Sequence, residues 1–156
     1  MRNFLVAVLL VSLALTGVAC GDSNGDGVAT REPGLALVRI GAMTVQAEVP
    51  QGDAFYRGLG GRQSMADDRG MLFLFERSER HSFWMKDMLI PIDIIWISAE
   101  GRVVEVRTAQ PEPGVPDEQL KRYYPDEPAL YVLEVQAGLA AEKDVQAGHP
   151  TEIQMP

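Results

Sequence analysis

The sequence predicts a mainly β chain, a compact sandwich- or barrel-like single domain with one or two short helices. Three observations predict it. From Leu35 onward the apolar period is mostly two, as where Met43, Val45, Ala47 and Val49 alternate with Thr44, Gln46 and Glu48. Two largely apolar runs, Met71 to Phe75 without a break and Ala129 to Val135 with Glu134 inside it, are short enough to be strands buried on both faces. A hairpin is written between Ile92–Ile97 and Val103–Arg107, which flank the turn signal Ser98-Ala99-Glu100-Gly101.

The remaining elements follow along the chain. Asp53 is placed to cap a short helix that sets Phe55 and Leu59 on one face before Gly60 ends it. Ala137 to Lys143 is Ala-rich and closes before Gly148, a second short helix. Between them, Ala109 to Pro128 holds five of the ten prolines together with Tyr123 and Tyr124. A loop of that length is uncommon in a compact domain and is often functional. No internal repeat or second domain is visible. Residues 35–156 form the domain.

The start of the chain is of another kind. Arg2 precedes an apolar run from Phe4 to Leu15 broken only by Ser12, and Gly17-Val18-Ala19 is a small-residue exit, so residues 1–19 read as a signal peptide. The sole cysteine, Cys20, follows at once. A lone thiol cannot form an internal disulfide, and the stretch Leu15-Thr16-Gly17-Val18-Ala19-Cys20 resembles the lipobox of bacterial lipoproteins, in which the cysteine is lipidated. Gly17 stands where that motif usually has Leu. The expectation is an exported chain anchored to a membrane through lipidated Cys20, since several acyl chains hold where one binds only reversibly. Residues 20–34 are small and polar and read as a flexible tether. Asp22, Asn24, Asp26 and Gly27 match half of a calcium loop, but Pro33 stands where the bidentate glutamate belongs, so the tether reading is preferred.

The full chain has 156 residues and a formal charge of −8, and loss of the leader with its single Arg2 leaves −9. So acidic a chain offers phosphates little counterion release, which excludes nucleic acid as the expected partner. The expected partners are the membrane and a small ligand or an envelope protein. Residues for chemistry are few. No Gly-x-Ser-x-Gly is present, and Ser82 with Lys86, four apart, reads as an edge serine and a solvated or paired lysine rather than a dyad. Asp93 and Glu134 lie inside apolar runs, where a carboxyl must be paired, hydrogen-bonded or shifted in pKa. They are therefore candidates for acid–base work, or else buried partners of Lys86 or Arg57. Met71, Met85 and Met88 with His81 offer soft donors for copper, but methionines mostly fill cores; no metal or cofactor is expected. Phe83, Trp84, Trp96, Tyr123 and Tyr124 would form an apolar cleft if they converged.

Phe83-Trp84-Met85-Lys86-Asp87-Met88-Leu89-Ile90-Pro91-Ile92-Asp93-Ile94-Ile95 resembles the box of the domain of unknown function 192 family. Arg57-Gly58-Leu59, Gly70-Met71-Leu72-Phe73, Leu133-Glu134 with Gly138, and the closing turn at Gly148 follow the same family in order, over about residues 43–154. Two positions depart from it: Asp87-Met88 replaces Asn-Thr, and Gly60 replaces Met. The resemblance implies a compact, mainly β domain, often exported, and brings no reaction, cofactor or catalytic residue. It leaves Arg57, Trp84, Lys86, Asp93 and Glu134 as the candidate lining of a site. The leading expectation is a non-catalytic binding domain tethered to the cell envelope. The alternatives are an envelope hydrolase working through Asp93 or Glu134, and copper handling through Met and His.

Overall fold

The computed structural model describes residues 32–156. The leader, Cys20 and the first part of the tether lie outside the described residues. In chain order the elements are β1 (Ala36–Ile40), β2 (Met43–Glu48), α1 (Asp53–Arg57), β3 (Arg69–Glu79), β4 (Phe83–Trp84), β5 (Ile92–Ile97), β6 (Val103–Ala109), β7 (Arg122–Tyr123), β8 (Ala129–Gln136), α2 (Leu139–Glu142) and β9 (Thr151–Gln154). The fold is mainly β, as its alternating pattern predicts. Among the described residues no helix is long and apolar enough to cross a membrane.

Seven strands form one sheet in the order β6-β5-β8-β3-β2-β1-β9, and β4 pairs with β7 in a small second sheet. The two outer strands of the large sheet meet at one end. Arg102 bridges Pro150, the Val103 amide donates to the His149 carbonyl at 2.9 Å, and Thr151 donates to Gly101 at 2.7 Å. The sheet thereby curls towards a barrel, and the contact covers backbone groups that a free edge would expose.

Each strand of the middle is apolar on both faces because each face has its own core. Leu72, Ile95, Leu133 and Val135 point inward with Val38, Val45 and α2's Leu139. Met71, Phe73, Ile94, Trp96 and Val132 point outward into a second cluster with Leu59, Met85 and Tyr123. The second cluster is covered by the segment from β4 to β5, by Tyr123 of β7 and by one crossover connection. β2 and β3 are parallel neighbours, pairing Gln46 with Arg69 and Glu48 with Met71. A hairpin cannot join parallel strands, so the chain must cross over. That crossover carries α1 and lies on the outward face of β3 and β8.

Several local details differ from the sequence reading. Gly52 occupies the N-cap position of α1, Asp53 makes no cap, and the helix ends at Gly58 rather than Gly60. Short strands β1, β4, β7 and β9 form, although two of them have only two residues and no legible period. The Pro-rich loop is not featureless: β7 is inside it, and it is tied down by Arg80 Nε on the Pro125 carbonyl and the Asp126 amide on Glu105. Glu32, within the expected tether, lies against the domain in a two-bond ion pair with Arg69.

Candidate functional site

Between α1, the outward face of β3 and β8, and the β4 segment lies a cleft of about 460 Å³, within the size range of small-ligand sites. Four of the five candidate residues line it: Arg57, Trp84, Lys86 and Glu134. Asp93 does not. Its absence follows from register. Across β5 and β8, Asp93 faces Val135 while Ile94 faces Glu134, so the two acids sit on opposite faces of the sheet. Asp93 points inward and is 1% exposed. There its carboxyl accepts from Thr108 Oγ1 at 2.7 Å and from the amides of Gly138 and Ala140 at 2.9 and 3.0 Å. It caps α2 from a neighbouring strand and satisfies first-turn amides that the helix cannot pair itself. The expected counter-charge, Lys86 or Arg57, is not among its partners.

Glu134 is the opposite case. It is 5% exposed, and its Oε2 is buried with no hydrogen-bond partner. Burial pushes the carboxyl up to about 8, against the pull of Arg62 in the loop after α1. Arg62 does not neutralise it, because both terminal nitrogens are spent on Glu48 at 2.6 and 2.7 Å. Glu134 is therefore protonated at neutral pH and can offer a proton or an O–H donor to whatever enters.

The crossover presses on this carboxyl at Gly58. With φ 54° and ψ −135° its backbone is in a region that side chains avoid, and a Cβ there would stand 3.7 Å from Glu134 Oε2 and 3.5 Å from the Phe73 ring. On β3, a Cβ at Gly70 would come within 2.8 Å of the Glu134 carbonyl, so only glycine lets β8 pair this closely. Asp87, in the left-handed region at φ 56°, turns the chain beneath the cleft, and its carbonyl accepts from the Gly61 amide at 2.8 Å.

The walls are aromatic. Phe55 meets Phe73 and Phe75 edge-to-face at 5.4 and 5.5 Å, and Phe83 meets Phe73 in the same way at 5.1 Å. Trp84 stands under the Arg122 guanidinium at 4.3 Å, with Lys86 Nζ 5.6 Å from its ring. Lys86 is ion-paired with Asp117 of the Pro-rich loop, which holds its pKa above the usual lysine value. That is the wrong direction for a base in a Ser82–Lys86 dyad, although both residues line the cleft. Tyr56, at the rim, is 86% exposed.

Of the other sequence candidates, Phe83 and Met88 also line the cleft, and the rest fall elsewhere. Trp96 is wholly buried behind Phe83 and donates to the His81 carbonyl at 2.9 Å. Tyr123 packs in the second cluster and Tyr124 is half-exposed, so neither reaches the cleft. Met71, Met85 and Met88 are buried in that cluster, and His81 stacks on Phe75 at 3.5 Å. Asp53, Asp87 and the Phe55–Phe75 wall belong to the cleft, although the sequence reading gave them no place among the site residues. Asp87 is legible within the Phe-Trp-Met-Lys box. Arg62 has no such signal, because its pairing with Glu48 exists only once the crossover folds.

The chain belongs to the domain of unknown function 192 family, DUF192, whose description is "Uncharacterized ACR"; the family model matches residues 37–153. Two solved structures are similar to it. One, from Novosphingobium aromaticivorans, is a protein of unknown function, 27% identical with a TM-score of 0.65 over 76% of this chain and 83% of that one. The other, from Sinorhizobium meliloti, is provisionally described as a transcription regulator, 27% identical with a TM-score of 0.67 over 76% of this chain and 93% of that one. A comparison with curated proteins finds no match.

Proposed function

We propose that this chain is an envelope lipoprotein, anchored through Cys20, whose domain binds a small ligand in the aromatic cleft without transforming it. The observation that carries the binding reading is Glu134: a buried, unpartnered carboxyl at the floor of a cleft walled by aromatic rings. An unsatisfied buried polar group costs stability, so a protein that keeps one beside a cavity has a use for it. Supporting this reading, Arg57, which has no ion-pair partner among the described residues, and the exposed Tyr56 line the cleft where a ligand would meet them. The acidic charge argues against direct nucleic-acid binding, whatever the Sinorhizobium relative does.

Native mass spectrometry of the full-length chain, purified without denaturant, tests it. The expected result is a non-covalent mass excess that disappears on denaturation and is lost in Trp84→Ala and Glu134→Gln variants. Retention of the same excess by both variants would overturn the assignment to the cleft. One observation favours a second reading. A carboxyl protonated at neutral pH is also what a general acid requires, so an envelope hydrolase would work through Glu134. Asp93, occupied with α2, has no part in it. For that reading, saturable turnover of an envelope glycan or ester must vanish in Glu134→Gln while ligand binding survives.

A further inference from the structure

The cleft holds more acid than base. Glu134 at its floor and Asp53 and Asp87 in its walls are three carboxyl groups. Of the two cations lining it, Lys86 is already held by Asp117, which leaves Arg57 without an ion-pair partner among the described residues. Arg62, the cation that acts on Glu134 from behind, is committed to Glu48 on both nitrogens. Glu134 thus has no ion-pair or hydrogen-bond partner for its Oε2 among the described residues. The walls are aromatic as well, with Phe55, Phe83 and Trp84 lining the cleft, and Trp84 already holds a cation, the Arg122 guanidinium, 4.3 Å from its ring. The chain's net charge of −8 draws cations towards it from a distance.

From this we infer that the cleft takes an organic cation, a protonated primary amine carried on an apolar or aromatic body, whose ammonium group pairs with Glu134. The inference rests on the cleft being the ligand site, as proposed above. An organic anion would meet the carboxyls of Asp53 and Asp87 beside the Arg57 guanidinium, and would force Glu134 to remain protonated. A neutral polyol could accept the O–H of Glu134, but would leave its proton in place and bind without pH dependence. An ammonium lets Glu134 ionise: the O–H proton passes to solvent, the carboxylate pairs with the ammonium, and the charge inside the cleft is balanced.

This exchange sets a pH dependence that neutral ligands lack. The groups facing Glu134 are Arg57 on α1, Arg62 in the loop that follows, Lys86 and Asp87 after β4, and Asp53 at the start of α1. Calorimetric titration of the full-length chain with benzylamine, benzyl alcohol and benzoate, at pH 6 and pH 8, is the test. Benzylamine is expected to bind most tightly of the three and to tighten at least tenfold from pH 6 to pH 8. At pH 6 it should release about one proton per molecule bound, read from two buffers of different ionisation enthalpy. In Glu134→Gln the pH dependence and the proton release should both be lost. The Trp84 indole signal in NMR reports whether the cleft is occupied. If the alcohol or benzoate moves that signal and binds as tightly as the amine, the cation inference falls and the cleft reading stands. If none of the three moves it at millimolar concentration, both fall.

Discussion

Replacing Glu134 by glutamine keeps the shape of the side chain and removes its ability to ionise. In the native protein the carboxyl titrates at about 8, and in the unfolded chain near the ordinary glutamate value of 4.5. The folded state therefore holds a proton that the unfolded state has lost throughout that interval. Stability contributed by the protonated form is complete below the unfolded value, declines as pH rises, and is exhausted once pH passes the folded value. At 1.36 kcal/mol per pKa unit the whole loss is about 4–5 kcal/mol, of which about 3 kcal/mol falls between pH 5.5 and pH 8.5. Glutamine pays none of it. Urea unfolding of both proteins at those two pH values should show the variant gaining on the native chain by about 3 kcal/mol. With a typical slope near 2 kcal/mol per molar, this separates the midpoints by about 1.5 M more at pH 8.5 than at pH 5.5. Parallel behaviour of the two proteins across that range would refute the reasoning. It would mean that water or a counter-charge reaches Glu134 and that the floor of the cleft is not desolvated.

Other predictions probe the surroundings. Asp93→Asn can keep its carbonyl oxygen on the N–H groups of Gly138 and Ala140, which share one carboxylate oxygen, and donate from its NH2 to Thr108 Oγ1, so it loses only the charge assistance and should cost roughly 1–2 kcal/mol in urea unfolding. Gly58→Ala should destabilise by about 1–3 kcal/mol, because alanine must adopt a backbone conformation that glycine alone tolerates; no change in the thermal midpoint would contradict the strain. Arg62→Gln removes the charge that draws the Glu134 pKa down, so the carboxyl's NMR titration midpoint should move above about 8. Arg122→Ala strips the cation from one face of Trp84, a loss of about 0.5–1 kcal/mol that should shift the fluorescence of that indole and leave the core residue Trp96 unaffected.

Much of the scaffold is legible in the amino-acid order. β2 alternates, β5 and β8 are apolar on both faces, and the turn at Ser98–Gly101 joins β5 to β6, because burial on one face or two writes itself directly into the period. β4 and β7 are too short to carry a period, and they exist because Trp84 and Arg122 meet across them. The site was half legible. Arg57, Trp84, Lys86 and Glu134 do share one cleft, whereas the aromatic residues of the Pro-rich loop stay outside it. Those tyrosines are placed by the pairing of β7 with β4, which puts Tyr123 against Phe83 in the second cluster and leaves Tyr124 facing solvent.

Asp93 and Glu134 mark the boundary most clearly. Each is an acid set among isoleucines, leucines and valines, and on the sequence alone the two are equivalent: both must be satisfied or shifted. The amino-acid order determines that requirement, since the cost of burying a carboxyl depends only on its surroundings being apolar. How each acid meets it was decided by the register of β5 against β8 and by the parallel crossover between β2 and β3. Register turns Asp93 inward to the amides of α2, where three donors wait. It turns Glu134 outward under the crossover, where Gly58 covers it, Arg62 is taken, and an aromatic cleft opens beside it. One residue's difference in phase separates a structural cap from a carboxyl at the floor of a cleft, because successive side chains of a strand point to opposite faces of its sheet.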